Sequence, residues 1–393
     1  MNLGHLLDNF LVRYLNRLDK HCFNVRLHGE MHKIGEGEPE FTVVVKSDNA
    51  ISKTELLTSP QLALGEAYMR GDIEIEGDLF TTLADLLEQS DRFSGDGSAL
   101  HSILHMSEKK KDQKKFVASH YDLGNDFYQL WLDPTMSYSC AYFKTDNDTL
   151  EEAQRNKVHR TLEKLYLKEG MRLLDIGCGW GFLLIEAAKK YGVKGYGCTL
   201  SEEQWKKGQA RIKEAGLEDL VTIELVDYRD LPAKELKFDR IVSVGMMEHV
   251  GRSNYPIYMQ TAAKLLNDGG LFLLHTITGY DEETSDPWIH KYIFPGGMVP
   301  SLREIMSEGM KVDFRVLDVE SLRRHYCRTL LRWYANFQKV HDKVAEMKGE
   351  EFVRMWDLYL AGCAAAFYVG HIDVHQTLMT KGNTNALPMT RWY

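Results

Sequence analysis

Several short clusters in this chain combine residue types able to handle a charged or reactive ligand. The most distinctive is Asp175–Gly181, D-I-G-C-G-W-G, in which a carboxylate precedes three glycines at alternate positions. Glycines there let the backbone approach a ligand closely, and a following helix presents its N-terminus to electron-rich groups. Asp227-Tyr228-Arg229 joins an anion, a ring and a cation, and Glu248-His249 is an acid–base pair. His275 closes the apolar run Leu271–Leu274, while Cys140, Tyr326 and Cys363 contribute thiols and a phenol. Taken singly, Cys140 reads as a small buried hydrophobe and Tyr326 as packing. Glu248-His249 fits a charge pair at a helix start, and a lone histidine such as His275 is more often a satisfied core residue than a catalyst.

Regular elements must bring these clusters together. Gly170 followed by Met171–Leu174 reads as a turn and a strand that ends at Asp175, and Phe182–Lys190 has helical spacing up to Gly192. Leu150–Leu167 is a helix leading into that strand. Further strands follow at Val193–Cys198, Val221–Val226, Phe238–Val244 and Leu271–His275. Helices alternate with them at Ser201–Ala215, with Ser201 as N-cap, and at Asn254–Leu266. This alternation means a doubly wound α/β domain whose ligands sit above the carboxyl ends of the strands, where the clusters fall. Asp281–Pro300 interrupts the pattern and carries Trp288, Tyr292, Phe294 and Met298. Such a segment suits the wall of an apolar channel, and a lid or dimer surface fits almost as well. The helices Arg328–Val340 and Glu350–Tyr368 are expected as the opposite wall, and Ile372–Met379 as an antiparallel edge strand.

The chain has 393 residues, 44% hydrophobic and 27% charged, enough for two domains with a large core. A net charge of −9 argues against a general nucleic-acid binder. The six cysteines form no C-x-x-C pair, which indicates free thiols in a reducing compartment. No membrane-spanning run or signal-peptide pattern is evident, so the expected location is cytoplasmic. Residues 1–105 form an opening α+β domain: a helical stripe over Leu3–Leu18, a strand at Phe41–Lys46, a helix at Ser59–Met69, a short strand at Ile73–Ile75 and a helix at Phe80–Gln89. Residues 106–116 are a linker rich in lysine. It reads first as solvated chain, and beside a lipid-handling domain also as a contact for an anionic membrane. Residues 117–393 form the catalytic domain.

A dinucleotide site would show G-x-G-x-x-G and an acid after the second strand. Here the spacing is G-x-G-x-G, and the second strand runs into Cys198-Thr199-Leu200-Ser201. Both features count against a nicotinamide cofactor; the glycine pattern fits S-adenosylmethionine (SAM), with Asp175 beside the methionine amine, although an acid after the second strand is usual in methyltransferases as well. Thr199, Ser201 and Gln204 are the candidates for ribose contacts, and Asp227-Tyr228-Arg229 stands where an adenine is gripped. The simpler alternatives are a helix cap for Ser201 and a turn for Asp227.

The resemblance becomes specific when His120–Asp126 (H-Y-D-L-G-N-D), Tyr138–Phe143 (Y-S-C-A-Y-F), the glycine-rich turn, Ser243–Gly251 (S-V-G-M-M-E-H-V-G), Leu274–Ile277 (L-H-T-I) and Lys291–Gly297 (K-Y-I-F-P-G-G) are taken together. From about Phe116 onward the sequence resembles the cyclopropane-fatty-acyl-phospholipid synthases, SAM-dependent enzymes that add a methylene to a cis double bond. The opening domain resembles the lipid-binding domain of the bacterial members. The resemblance implies a class I SAM-methyltransferase fold with a smaller N-terminal α+β domain. It implies SAM contacts from Tyr138, Ser139, Asp175, Gly177, Cys178, Gly179, Thr199, Leu200, Ser201, Gln204, Asp227, Tyr228 and Arg229. It also implies a bound bicarbonate as base, held by Cys140, Glu248, His275, Tyr326 and the backbone of Ile277, and no metal. Cys363 matches a cysteine once assigned as the family's nucleophile, and its small neighbours fit a packing role better. The implied partners are an unsaturated phospholipid and the inner face of the membrane, met peripherally by a homodimer. The rivals are a methyl-branching or small-amine methyltransferase on the same site, and a lipid carrier that binds SAM without chemistry.

The chemistry agrees with those types. An alkene is a poor nucleophile, so its methyl donor must be held in line and stripped of water. The resulting cation wants electron-rich surroundings, and a base must reach the new methyl group. A bare carboxylate there risks alkylation. Bicarbonate offers one hydroxyl donor and several acceptor oxygens, which Glu248, His275 and Tyr326 complement.

Overall fold

The computed structural model describes residues 15–18, 20–46, 58–89, 123–280, 282, 286–391 and 393. The basic run Lys109–Lys115 and most of the Leu3–Leu18 stripe lie outside them. The chain forms two compact units, each assembled from separated stretches. One takes Met1–His105, Glu283–Pro295 and Leu330–His371; the other takes Met106–Glu282, Gly296–Thr329 and Ile372–Tyr393. The second unit therefore omits two stretches of the expected catalytic span 117–393.

In the first unit, β1 (Phe23–Leu27), β2 (Glu30–Ile34), β3 (Thr42–Val45) and β4 (Ile73–Glu76) form a sheet in the order β2-β1-β3-β4. The β1–β2 hairpin, not expected from the sequence, turns on His28 and Gly29, both with positive φ (51° and 84°). Phe23, Val25 and Leu27 alternate onto the face that packs with Ile34, Phe41, Ala63 and Ala67. Helix Pro60–Met69 starts on a proline at its first turn, and helix Leu79–Leu87 is capped by Asp78, which accepts from the Thr81 N–H. The late helix Glu350–Val369 packs on both. Its Arg354 donates to the carbonyls of Tyr68 and Ile73 (2.5 and 2.8 Å) and lies 4.2 Å from the Tyr68 ring centre. Trp288, expected in a channel wall, is instead buried in this unit, its indole N–H donating to Met69 Sδ at 3.2 Å. That indole lies against Gly65, where a side chain would have no room.

The second unit is a seven-stranded sheet. Its strands are β5 (Arg172–Ile176), β6 (Lys194–Thr199), β7 (Val221–Leu225), β8 (Phe238–Val244), β9 (Leu266–Gly279), β10 (Phe314–Ser321) and β11 (Ile372–Lys381). Their order is β10-β11-β9-β8-β5-β6-β7, with β5 to β9 parallel and β11 antiparallel between β9 and β10. The Ile372–Met379 segment is thus interior and not an edge: β10, unforeseen, covers it. Helices α1 (Leu150–Lys164), α2 (Phe182–Tyr191), α3 (Glu202–Glu214) and α4 (Tyr255–Leu265) flank the sheet. A reciprocal Thr149–Glu152 capping box starts α1, and Gly192 in the left-handed region ends α2. Strand alternation divides the core. Leu173, Val242 and Leu273 pack with the α1 and α2 residues Leu162 and Leu184, while Leu174, Ile241 and Phe272 pack with Tyr258 and Met259 of α4. Chain order reverses between β5 and β8, which places a crevice at the carboxyl end of β5.

Candidate active site

The D-I-G-C-G-W-G turn occupies that crevice. Gly177 has φ +82°, and a Cβ there would come within 2.9 Å of the Met246 side chain. Gly177 and Cys178 both donate their N–H to the Cys198 carbonyl (3.0 and 3.1 Å), tying the turn to β6. Gly197 on β6 makes room for the turn, since a Cβ there would meet Cys178 Sγ at 2.7 Å. These contacts leave a cavity lined by Tyr138, Ser139, Asp175, Gly177, Cys178, Gly179, Thr199, Leu200, Gln204, Tyr228 and Arg229.

Two expected contacts do not line it. Ser201 caps α3, its Oγ accepting from the Gln204 N–H at 3.3 Å. Asp227 is taken by Arg229, whose Nε and Nη2 donate to it at 2.9 and 2.6 Å. Thr199 Oγ1 donates to Gln204 Oε1 at 2.8 Å, which fixes that amide at the cavity wall.

Asp175 is the electrostatic centre. Burial pushes its carboxyl up to about 7 against the pull of Lys157, and among the described residues Oδ1 has no hydrogen-bond partner. A buried carboxylate oxygen left unpaired suits a cationic ligand group. Lys157 was not anticipated. It lines the cavity, donates from Nζ to Ser139 Oγ at 2.8 Å, and is pushed down to about 8 by burial. The sequence carried a signal for it: Lys157 falls at helical spacing with Ala153, Val158, Thr161 and Leu162, on the apolar face of α1. His249, Met246 and Trp180 also line the cavity, and burial depresses the His249 imidazole to about 4.

A second constellation gathers where β8 and β9 end. Glu248 Oε1 accepts from the Ile277 N–H at 2.7 Å, while Oε2 is buried without a partner among the described residues. Burial raises the Glu248 carboxyl above its ordinary range. His275 is fully buried, its imidazole depressed to about 3 by burial and therefore neutral, with Nε2 likewise unpaired. The Cys140 thiol lies 3.2 Å from the Ala141 carbonyl and 3.8 Å from that of Leu322, which also accepts from the Tyr326 N–H at 3.0 Å. The Leu322 N–H in turn donates to the carbonyl of Val374, the residue opposite Ile277 on β11. The Leu322 backbone thus meets the Cys140 thiol, the Tyr326 N–H and the strand that pairs with Ile277. Cys363 does not join them: it sits on Glu350–Val369 in the first unit, its thiol pushed up to about 12 by burial, the reverse of an activated nucleophile. Burial raises the Cys140 thiol as well.

Residues 108–377 match the family model described as mycolic acid cyclopropane synthetase, and residues 10–98 match a domain of unknown function. The chain is 42% identical over 342 residues to the cyclopropane-fatty-acyl-phospholipid synthase of Escherichia coli K12, covering 86% of this chain and 87% of that one. It is 40% identical to a probable fatty acid methyltransferase of Pseudomonas putida, covering 90% and 91%. A mycolic acid cyclopropane synthase structure complexed with SAH and CTAB superposes with a TM-score of 0.64 at 38% identity, covering 68% of this chain and 98% of that one.

Proposed function

This chain belongs to the mycolic acid cyclopropane synthetase family of SAM-dependent methyltransferases, and on that premise we propose that it adds a methylene to the cis double bond of unsaturated phospholipid acyl chains. The observation that carries the reading is the cavity built around the unpaired Asp175 carboxylate, on a sheet that also buries Glu248, held by the Ile277 N–H, and His275 on the neighbouring strand. SAM supplies the one-carbon unit as a sulfonium methyl, and Asp175, the glycine turn, Gln204 and Tyr228 would hold it. Bicarbonate supplies the base. The residues fit such an ion by their hydrogen-bond inventory: Glu248 Oε2 is an open acceptor for a hydroxyl, and a neutral His275 leaves Nε2 open for a further hydrogen bond. The Ile277 N–H is engaged by Glu248 Oε1, so the backbone of that residue holds the carboxylate that would meet the ion and does not offer its N–H directly. Burial of both side chains keeps water from competing for the proton.

A phospholipid substrate makes contact with the membrane surface part of the reading, together with a lipid-binding role for the opening domain and a homodimer. Among the described residues no helix is long and apolar enough to cross a membrane. Similarity to the Pseudomonas putida protein supports a second reading, in which the same methyl transfer yields a methyl-branched chain.

The test is incubation of the pure protein with SAM and unsaturated phospholipid vesicles, with and without bicarbonate, followed by mass spectrometry. A gain of one CH2 with a ring-type fragmentation is expected, and a rate several-fold higher with bicarbonate. A branched-chain fragmentation selects the second reading. SAM consumption with small amines and never with lipid overturns both.

A further inference from the structure

His275 has a neighbour that no sequence motif singled out. Gln376 of β11 stands directly opposite it in the antiparallel register with β9, so the two side chains share a face of the sheet. Both are almost wholly buried. Gln376 Nε2 lies 3.2 Å from His275 Nδ1 and donates to Thr161 Oγ1 at 3.0 Å. The Thr161 hydroxyl proton is already committed to the Lys157 carbonyl one turn back on α1, at 2.8 Å. Thr161 Oγ1 can therefore only accept from the amide, and this fixes which end of the amide faces the imidazole. Turning the amide over would set its oxygen against a hydroxyl with no proton left to give. The present orientation leaves Gln376 Oε1 buried without a partner among the described residues, a cost offset only if both amide protons are used.

We propose that Gln376, oriented by Thr161, is a positioning residue that holds neutral His275 as the Nε2–H tautomer. Nδ1 accepts from the amide, the proton resides on Nε2, and Nε2 is the buried nitrogen with no partner among the described residues. The Gln376 amide thus donates in two directions, to Thr161, which passes its own proton to the Lys157 carbonyl, and to His275 Nδ1, which leaves Nε2 as an open N–H donor. The role of that donor rests on the reading above, in which it meets the base; the tautomer itself does not. The opposite tautomer would present a bare nitrogen to an anionic oxygen and repel it.

The experiment is 15N NMR of histidine-labelled full-length protein without substrate, with the His275 signals assigned by their loss in His275→Gln. Wild type is expected to show a protonated Nε2 and an accepting Nδ1. Gln376→Glu, which presents an acceptor to Nδ1, is expected to move the proton to Nδ1 or protonate the ring. Gln376→Met, of similar size and without donors, is expected to give a mixture of tautomers. In both variants turnover should fall roughly tenfold to thirtyfold with the KM for SAM unchanged. Wild type with a protonated Nδ1 overturns the proposal, as does Gln376→Met with wild-type tautomer and turnover. If Gln376→Glu does not fold, Gln376→Met decides. If wild type makes no lipid product, the functional reading fails while the nitrogen shifts still decide the tautomer.

Discussion

Glu248→Gln is expected to bind SAM within about twofold of wild type and to lose turnover by a factor of roughly a hundred or more, the range typical of a lost acid–base partner. The glutamine carbonyl can still accept from the Ile277 N–H, now held at 2.7 Å by Oε1, so the local backbone has no reason to move. The other terminal atom changes from a buried acceptor into an NH2 donor, and a hydroxyl facing it loses its partner. Stability should not fall. Burial raises the Glu248 carboxyl, so its charge opposes folding at pH values above its ordinary range, and removing the charge relieves that penalty. Thermal melting separates the two effects: an unchanged or higher Tm with lost turnover is expected. Wild-type turnover in this variant would remove Glu248 from the chemistry.

Asp175→Asn should do the opposite, weakening SAM affinity by on the order of a hundredfold, the scale of a charge-assisted hydrogen bond lost in a buried site. It should leave much of the turnover at saturating SAM. The pH dependence follows from the same carboxyl. In the free protein its pKa is about 7; a bound ammonium group lowers it, so binding below pH 7 must expel a proton. Affinity for SAM is then expected to weaken by up to about tenfold per pH unit below 7 and to be insensitive to this group above it. Isothermal titration in buffers of different ionisation enthalpy reads the proton release directly at pH 6. Release that persists unchanged in Asp175→Asn would move the titrating group elsewhere, with Lys157 the nearest candidate.

How much of this was legible in the sequence depended on range. The β5–turn–α2 unit was readable because Asp175–Gly181 is local: glycine spacing, an apolar run before it and helical spacing after it all lie within about twenty residues. Phe238–Val244 appears with the bounds the sequence suggested. Two strand groups were missed for different reasons. The β1–β2 hairpin hides its signal in a His-Gly turn with no Asn-Gly or Asp-Gly pair, and β10 alternates among charged residues, Arg315, Asp318 and Glu320, that read as loop. Without β10, β11 had to look like an edge. The first unit's makeup was beyond reach, because nothing local tells Glu350–Val369 that its core partners are helices almost three hundred residues earlier. Deleting residues 1–105 would strip that helix of its packing, so such a truncation cannot isolate a lipid-binding role.

The site divides along the same line. Asp175 and the glycines were found as a motif, and Glu248, His275, Cys140 and Tyr326 through resemblance. Lys157 and Gln376 each lie on an element that carries several other polar residues, so nothing local singles them out, and their meaning comes from register. Gln376 matters because it is opposite His275, and Lys157 because its side chain lines the same cavity as Asp175. By contrast, the two expected contacts that fail to reach the cavity, Ser201 and Asp227, are satisfied within a few residues of themselves, as a cap and an ion pair. For those two positions the simpler sequence alternatives describe what the structure contains.

The most direct test of the account is to supply SAM carrying a fully deuterated methyl group to the wild-type enzyme with unsaturated phospholipid vesicles, and to weigh the product. Removal of a proton from the transferred methyl followed by ring closure leaves two deuterons on the added carbon, with the third lost to the base. Retention of two, in a chain that fragments as a cyclopropane, is the expected result. Retention of all three would mean that no proton is taken from the new methyl, and would contradict the account.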